Sequence, residues 1–366
     1  MSDFRFDHIR FAGIASAVPT RIVKSEEFIS TFGEDAVRKF VEKTGVTERR
    51  IALEHQTASD LGYAAAEKLI AEKQINRDEI GVLIFGSHCG DYRKPATAAV
   101  LHKRLKLNQE CAAFDVGLGC SAFVYSAQVA ASMLMSSACR YALVVVGETP
   151  TRYVSPEDRS QAMLGGDGGS ALLLEKTEEI NRFSGKLCTY GEGYRSVIVP
   201  AGGFRNPNES NEPMMWADGY PRTLYQTYMN GMDVFTFTMT RVPKSIKQFL
   251  ADTEQTIDQF DCLAFHQANV MILQQLSKKL KVPGERIWQC MDRYGNTVSA
   301  SIPLLLSDLY GTSGEKKEIN TLMCGFGIGL SWGVMSAVIS TEDILPVIET
   351  DEYFAEGIIH SPQDLE

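Results

Sequence analysis

The segment Ala112–Leu134 constrains the fold most, because its pattern changes from strand to helix across one tight turn. Residues 112–116 form a short run of strand type, and Gly117 and Gly119 supply the backbone freedom that a sharp turn needs. From Ser121 onward, apolar residues recur at spacings of three and four, which is typical of a buried helix. The sequence therefore predicts a strand, a glycine turn and a helix, with Cys120 at the turn.

Cys120 is a candidate nucleophile because of this position. The free N–H groups and the positive dipole end at a helix N-terminus favour a thiolate over a thiol. We therefore expect the pKa of Cys120 to be lowered, and its sulfur to react faster than those of the other seven cysteines. The alternative is a cysteine that only packs in the core. The flanking glycines favour the nucleophile.

The net charge of −10 is distributed unevenly along the 366 residues. Residues 341–366 contain eight acidic residues and no lysine or arginine, so residues 1–340 carry a net charge of only −2. A nearly neutral body gives no electrostatic support for binding nucleic acid. The chain contains no stretch of about 18 apolar residues, and its first residues have no apolar leader segment. We predict a cytoplasmic protein that does not bind membranes.

The eight cysteines contain no Cys-x-x-Cys pair and lie in apolar surroundings. This pattern favours reduced thiols over a disulfide framework or a zinc site. Two glycine-rich segments, residues 165–170 and 325–329, are each followed by an apolar strand pattern rather than by a helix, so neither is typical of a phosphate-binding loop. We expect neither a metal ion nor a bound cofactor.

Strand and helix patterns alternate along the chain, which predicts an α/β protein with helices packed on its sheets. Residues 80–85, 141–147 and 170–175 are predicted to be buried strands, and residues 59–73 a helix capped by Ser59. A polar segment over 176–200 separates two parts with the same rhythm. We therefore expect an N-terminal half over 1–180, a C-terminal half over 181–340 and an acidic extension over 341–366.

His266 and Asn296 are further candidates for the site. His266 directly follows the strand pattern of residues 262–265, and Asn296 lies in a turn just before an apolar helix. Each has an ordinary explanation by itself, as a hydrogen-bonded histidine at a strand end and an asparagine in a turn. Together with Cys120 they form a Cys-His-Asn set, each member at the end of a strand or the start of a helix.

These residues lie in motifs that resemble the 3-oxoacyl-(acyl-carrier-protein) synthase III family of thiolase-fold condensing enzymes. The motifs occur in family order over roughly residues 5–340: Asp115-Val116, Gly119-Cys120, Gly166-Asp167-Gly168, His266-Gln267-Ala268-Asn269, Tyr294-Gly295-Asn296-Thr297 and Gly325-Phe326-Gly327-Ile328-Gly329. The resemblance implies a five-layered αβαβα sandwich of two similar halves and a homodimer.

The resemblance also implies the chemistry. Cys120 would take an acyl group from a thioester primer, with the backbone N–H groups of Cys120 and Ile328 as oxyanion hole. His266 and Asn296 would then stabilise the enolate formed when a malonyl thioester loses CO2, and Phe326 would exclude water. The reaction would be a decarboxylative Claisen condensation that gives a 3-oxoacyl product, in a specialised fatty-acid or polyketide pathway.

The implied substrates are thioesters of coenzyme A or of acyl carrier protein. Lys43 belongs to a basic loop, and its charge is compatible either with a solvated surface loop or with a phosphate contact. Arg159 matches an arginine that in the family packs against the adenine of coenzyme A. Lys278 and Lys279 match basic positions that would meet an acidic carrier protein, or they form an exposed helix face. Two positions depart from the family pattern. This chain has Lys39 where the family commonly has a tryptophan, and Met271 where it commonly has an arginine.

The primer is predicted from Lys94, which stands where the family often has an aromatic residue that reaches across the dimer to floor the partner's acyl pocket. A lysine there would lose its hydration in a dry pocket. Lys94 therefore either turns to solvent and leaves a longer pocket or meets a polar group on the acyl chain, and both predict that acetyl is a poor primer. A loop shift that carries Lys94 to the surface, with another side chain filling the gap, is the alternative.

Two other functions remain open from the sequence. One is an acyltransferase of the same fold that passes the acyl group from Cys120 to an oxygen or nitrogen nucleophile, which would have no need of Asn296 as an enolate donor. The other is a non-catalytic subunit of a heteromeric synthase, which the intact set of Cys120, His266 and Asn296 disfavours.

Overall fold

The computed structural model describes residues 3–365. Its strands are β1 (Asp3–Phe6), β2 (Ile9–Pro19), β3 (Ile22–Lys24), β4 (Glu48–Arg50), β5 (Ile80–Gly86), β6 (Ala112–Val116), β7 (Tyr141–Glu148), β8 (Gly168–Lys176), β9 (Phe183–Thr189), β10 (Val197–Ile198), β11 (Met214–Met215), β12 (Pro221–Arg222), β13 (Tyr228–Met229), β14 (Cys262–Phe265), β15 (Glu318–Gly327), β16 (Ser331–Ser340) and β17 (Ile348–Thr350). Its helices are α1 (Ile29–Phe32), α2 (Glu34–Thr44), α3 (Ala58–Glu72), α4 (Thr97–Arg104), α5 (Ala122–Met135), α6 (Gly231–Asp252), α7 (Val270–Leu280), α8 (Met291–Tyr294) and α9 (Ser301–Tyr310).

Two sheets of the same topology carry the fold. The first, here the N-terminal sheet, has the strand order β6-β5-β7-β8-β2-β17. The second, the C-terminal sheet, has the order β14-β15-β16-β9-β1, and a single bridge from Leu263 to Ile287 stands where the first sheet has β6. In both sheets one parallel pair is followed by two antiparallel pairs. The prediction of two similar halves is confirmed.

The layers follow from which faces are apolar. Helices α5 and α9 contribute to a core whose other members come from both sheets, so these two helices form the central layer. Helices α3 and α4 cover the outer face of the N-terminal sheet, and α6 and α7 cover that of the C-terminal sheet. The strands in the middle of each sheet are buried on both faces, which explains their continuous apolar sequences. The result is the predicted five-layered αβαβα sandwich.

Each sheet receives its edge strand from the opposite end of the chain. β1 pairs antiparallel with β9 in the C-terminal sheet, whereas β17 pairs parallel with β2 in the N-terminal sheet. The predicted boundary at residues 180 and 181 falls between β8 and β9, the strands on which the two sheets divide. β1 and β17 therefore each belong to the sheet of the opposite half.

The acidic extension packs on the N-terminal half after β17. The Gln56 side chain donates hydrogen bonds to two carbonyls of the extension, and the Phe354 N–H donates to the Asp60 carboxylate at 2.9 Å. Asp60 is itself buried in an ion pair with Arg104 at 2.8 Å. Farther along, the Tyr92 hydroxyl donates to the Gly357 carbonyl. The extension is therefore an ordered part of the fold up to this point.

Deleting residues 348–366 should lower the melting temperature by several degrees, because it removes β17 and one donor to the buried Asp60 carboxylate, the Phe354 N–H. Circular dichroism melting measures the effect. Deletion of residues 358–366 is the matched control, since it preserves each of these contacts. Equal melting temperatures for the two deletions would show that the extension contributes no stability.

Candidate active site

Cys120, His266 and Asn296 line one cavity of about 290 Å³. Cys120 lies between β6 and α5, and His266 directly follows β14. Asn296 lies between α8 and α9, where the Asn296 N–H and carbonyl pair with the backbone of Leu164 and Gly166. The cavity therefore collects side chains from both halves, and the predicted set is brought together.

The glycine-rich loop after β15 lies directly against the cysteine. A Cβ atom at Gly327 would stand 2.6 Å from the Cys120 sulfur, and one at Gly325 would stand 2.7 Å from the Cys120 carbonyl oxygen. Only glycine permits this approach. Because of it, the backbone N–H groups of Ile328 and Cys120 lie close enough to the cysteine sulfur to favour its thiolate form. The loop is tied to the turn by the hydroxyls of Ser121 and Ser331, which lie 2.7 Å apart.

The expected lowering of the pKa of Cys120 is wrong. Burial raises its pKa to about 12, and the two backbone N–H groups only partly oppose this effect. The buried carboxyl of Glu148 raises the pKa further. Helix α5 begins at Ala122, but the thiol beside it is enclosed in the cavity, so loss of hydration outweighs the helix N-terminus. Cys120 therefore holds its proton at neutral pH.

The rate of Cys120 alkylation by iodoacetamide should therefore rise about tenfold per pH unit from roughly pH 6 to 9, because the thiolate fraction grows in this way below the pKa. Peptide mapping at each pH isolates the Cys120 rate from those of the other cysteines. An alkylation rate that levels off below pH 9 would show that the thiol is already ionised there, and that its pKa is lowered as the helix position predicts.

His266 is neutral at physiological pH, because complete burial lowers its pKa to about 3. Its Nδ1 lies 2.8 Å from the Ser301 hydroxyl, which also lies 2.8 Å from the Val298 carbonyl. The ring packs edge-on against Phe326, with the centroids 5.4 Å apart. Nδ1 is thus engaged by Ser301, and Nε2 is the ring nitrogen that remains for a ligand.

The side-chain amide of Asn296 has a defined orientation. The Val298 N–H donates to Asn296 Oδ1 at 3.0 Å, and a backbone N–H can only donate. The amide NH2 group is therefore on the other side, at the cavity that Asn296 lines. Asn296 can act there as a neutral hydrogen-bond donor.

Comparison with known proteins agrees with this site. The family model described as 3-oxoacyl-[acyl-carrier-protein (ACP)] synthase III matches residues 114–191, and the model of its C-terminal part matches residues 250–339. A beta-ketoacyl-[acyl-carrier-protein] synthase III from Rhodopirellula baltica is 32% identical over 344 residues, which cover 89% of this chain and 96% of that protein. The chain belongs to the 3-oxoacyl-[acyl-carrier-protein] synthase III family.

Further comparisons support this membership. A beta-ketoacyl-[acyl-carrier-protein] synthase III from Xanthomonas campestris is 32% identical over 329 residues, covering 88% of this chain and 96% of that one. The crystal structure of a 3-oxoacyl-(acyl-carrier protein) synthase from Burkholderia xenovorans LB400 superposes with a TM-score of 0.89 at 35% identity, covering 95% of this chain and 99% of that one. The predicted family and the thiolase fold are confirmed, and the chain is a condensing enzyme. Within residues 3–365, no helix has the length and apolar character needed to cross a membrane.

In this synthase III chain a larger pocket of about 660 Å³ opens beside the catalytic cavity and shares Asn269 and Met271 with it. Lys43 and Arg159 line this outer pocket and are exposed. Lys39 lines it too, at 3.2 Å from Asp35. The structure therefore places two predicted substrate-binding residues at the entrance and Phe326 in the catalytic cavity.

The other predicted substrate-binding residues lie outside both pockets. Lys278 and Lys279 are exposed on α7, and Lys279 shares a surface depression with Lys244 and Lys247 of α6. Lys94 is exposed and does not line the cavity of its own protomer.

Sequence reasoning missed two polar groups beside the catalytic residues. Glu148 ends β7 and is 2% exposed, and its carboxylate accepts the His88 N–H at 3.1 Å. Among residues 3–365 no basic side chain forms an ion pair with it. Thr238 on α6 lines the cavity, and its buried hydroxyl has no hydrogen-bond partner in the described chain. No pattern in the sequence points to Thr238, whereas an acidic residue at the end of the apolar run of β7 could have drawn attention to Glu148.

Glu148→Gln should stabilise the protein increasingly as the pH rises. Burial raises the pKa of Glu148 to about 7 in the folded chain, above the ordinary value of 4.5, so folding loses free energy as the pH rises from 4.5 to 7. The loss amounts to roughly 1.4 kcal/mol per unit of pKa difference and stays constant at higher pH. Urea unfolding of both proteins at pH 5 and pH 8 measures it. Parallel pH dependences would show that Glu148 does not titrate in this way.

Proposed function

We propose that this chain catalyses a decarboxylative Claisen condensation between an acyl group carried on Cys120 and a malonyl thioester on acyl carrier protein. One observation carries the proposal: Cys120, His266 and Asn296 line one cavity, and two backbone N–H groups meet at the Cys120 sulfur. This is the arrangement that acyl transfer followed by enolate formation needs.

The first half-reaction acylates Cys120. The thiol loses its proton as its sulfur attacks the thioester carbonyl, the new S–C bond forms, and the carrier's C–S bond breaks so that the carrier leaves as a thiol. The N–H groups of Ile328 and Cys120 stabilise the oxyanion of the tetrahedral intermediate. Because the pKa of Cys120 is about 12, the proton is removed during the attack, and the neutral His266 is the base that lines the same cavity.

The second half-reaction breaks the bond between the malonyl α-carbon and its carboxylate. CO2 leaves, and the electron pair remains as an enolate whose oxygen needs hydrogen-bond donors. The amide NH2 of Asn296 and Nε2–H of His266 are these donors. Ser301 donates its hydroxyl proton to the Val298 carbonyl, which leaves Nδ1 to carry the ring proton and Nε2 to accept one during acylation. The donor role of Nε2 in decarboxylation requires the other tautomer, in which the Ser301 hydroxyl turns from Val298 to Nδ1, 2.8 Å away.

The enolate carbon then attacks the acyl carbonyl on Cys120. A C–C bond forms, the C–S bond to Cys120 breaks, and the 3-oxoacyl product leaves on its carrier. The released thiolate takes up one proton from solvent, because the original thiol proton left with the first carrier. Phe326 packs edge-on against His266 at the cavity and keeps water from the enolate.

The outer pocket fits the phosphate-bearing arm of coenzyme A or of acyl carrier protein, since Lys39, Lys43 and Arg159 line it. The lysines of α6 and α7, Lys244, Lys247, Lys278 and Lys279, form no ion pair within residues 3–365 and would face the acidic carrier protein. Met271 takes part in the entrance as an exposed apolar side chain, where the family pattern has an arginine.

The active form is a homodimer in this proposal. β6 is the outer strand of the N-terminal sheet, so one side of it is unpaired within residues 3–365 and offers hydrogen bonds to a second copy. Lys94, exposed on the loop between β5 and α4, would then face the partner's acyl cavity. Light scattering of the purified chain tests the dimer.

The decisive experiment for the reaction has two stages. Intact mass is recorded after incubation with a panel of acyl thioesters, and malonyl carrier protein is then added to the acylated chain. The proposal requires an acyl adduct first, followed by loss of the adduct together with release of CO2 and a 3-oxoacyl product. An adduct transferred to an oxygen or nitrogen nucleophile without CO2 would establish the acyltransferase instead.

A further inference from the structure

A second pocket of about 250 Å³ lies against the catalytic cavity and contains two arginines without acidic partners. Arg21 is exposed at this pocket, whereas Arg49 is only 7% exposed. Within residues 3–365, neither guanidinium lies within ion-pair distance of a carboxylate. We refer to this site, lined by Arg21 and Arg49, as the arginine pocket.

Arg49 is held in place by neutral groups. Its Nη1 donates to the Gly165 carbonyl at 3.1 Å, and its guanidinium lies 5.0 Å from the centre of the Phe28 ring. The nearby Asp167 carboxylate is occupied by the Ala52 N–H and by Thr151 instead. Burial lowers the pKa of Arg49 to about 10, and the charges of Asp167 and Glu27, neither of which forms an ion pair with it, only partly oppose this effect. A buried cation of this kind favours an anionic ligand.

The arginine pocket and the catalytic cavity have a common boundary formed by Val154, Gln161 and Gly165. The Gln161 side chain is fixed by hydrogen bonds to Asp158 and to the Thr227 carbonyl. Gly165 presents no side chain, and a Cβ atom there would lie 3.4 Å from Pro150 of the catalytic cavity. Arg49 donates to the Gly165 carbonyl, so its guanidinium lies directly beside this boundary.

The remaining lining of the arginine pocket is mostly apolar, with Val23, Phe28 and Ile51 among its residues. Such a lining can bind the methylene groups of an acyl chain, and the two guanidiniums can bind a carboxylate at the end of that chain. We propose that the acyl chain on Cys120 extends past Gly165 and that its terminal carboxylate binds Arg21 and Arg49, so that the primer is a dicarboxylic acyl thioester. This inference rests on the proposed function, because it names the primer that the condensation uses.

The test compares glutaryl-coenzyme A with the coenzyme A thioester of its monomethyl ester, a probe of similar length without the charge. Acylation of Cys120 is followed by intact mass for wild type, Arg21→Gln and Arg49→Lys, and succinyl and adipyl thioesters extend the series in length. Charged hydrogen bonds predict a preference of roughly tenfold or more for the free acid in wild type. Arg21→Gln should reduce this preference by about that factor, so that the rates with the acid and the ester become similar.

Arg182→Gln is the matched control, since Arg182 is an exposed arginine that lines neither pocket. Arg49→Lys keeps the charge but not the fork of donors, so it should lower the rate with the acid and preserve folding. Equal rates for acid and ester in wild type, unchanged by Arg21→Gln, would overturn the dicarboxylic primer while acylation itself still supported the condensation. Absence of any adduct with every thioester would overturn the proposed function.

Discussion

Asn296→Ala should reduce malonyl decarboxylation by about 10²- to 10³-fold and change the acylation rate of Cys120 little. The reason is that the Asn296 amide faces the cavity as a donor for the enolate, whereas the donors for acylation are the backbone N–H groups of Ile328 and Cys120. Release of CO2 from malonyl carrier protein and single-turnover mass measurements follow the two half-reactions separately.

Asn296→Asp gives a sharper version of this test. The carboxylate still accepts the Val298 N–H, so the local fold is preserved, but the NH2 donor is gone. We expect the same loss of decarboxylation as in Asn296→Ala. A variant that condenses at the wild-type rate would remove the enolate role and leave an acyltransferase as the better description.

Cys120→Ala should show the opposite pattern. No acyl adduct should form, because alanine has no nucleophile, and condensation should fall to background. Decarboxylation of malonyl carrier protein should persist, since His266 and Asn296 remain in the cavity. Intact mass and CO2 release measure both results on the same sample.

Cys324→Ala is the matched control for this variant. Cys324 is fully buried just before the glycine-rich loop, and burial raises the pKa of its thiol above the ordinary range. The Cys324→Ala variant should therefore be acylated on Cys120 at the wild-type rate. An adduct that survives in Cys120→Ala and maps to Cys324 would displace Cys120 as the nucleophile.

That Cys120, His266 and Asn296 lie together could be predicted from the sequence, because local patterns define their positions. The glycine turn and the helix around Cys120, and the strand before His266, are short-range features, and their order along the chain matched a family. The cap of α3 was a near miss: the sequence favoured Ser59, but Thr57 is the capping residue and forms a capping box with Asp60. A shift of two residues at a helix start leaves the fold unchanged.

Other features depend on contacts between distant residues. The pKa of Cys120 is set by how completely the loop after β15 and the cavity residues enclose it, and no local pattern reports that. The arginine pocket likewise joins Arg21 to Arg49 and to residues after β7. In the sequence, Arg49 was one cation of a basic loop, and only the folded chain shows that it forms no ion pair with any residue of the described range 3–365.

The exchange of edge strands between the two sheets affects how the chain can be synthesised and divided. During translation β1 is synthesised long before β9, with which it pairs, and the N-terminal sheet lacks β17 until the segment after β16 has been synthesised. Cutting the chain between β8 and β9 would give two fragments. The N-terminal fragment would lack β17 and carry β1, and the C-terminal fragment would lack β1 and carry β17. β1 and β17 therefore connect the two halves. An N-terminal half that folded early would expose the unpaired edge of β2.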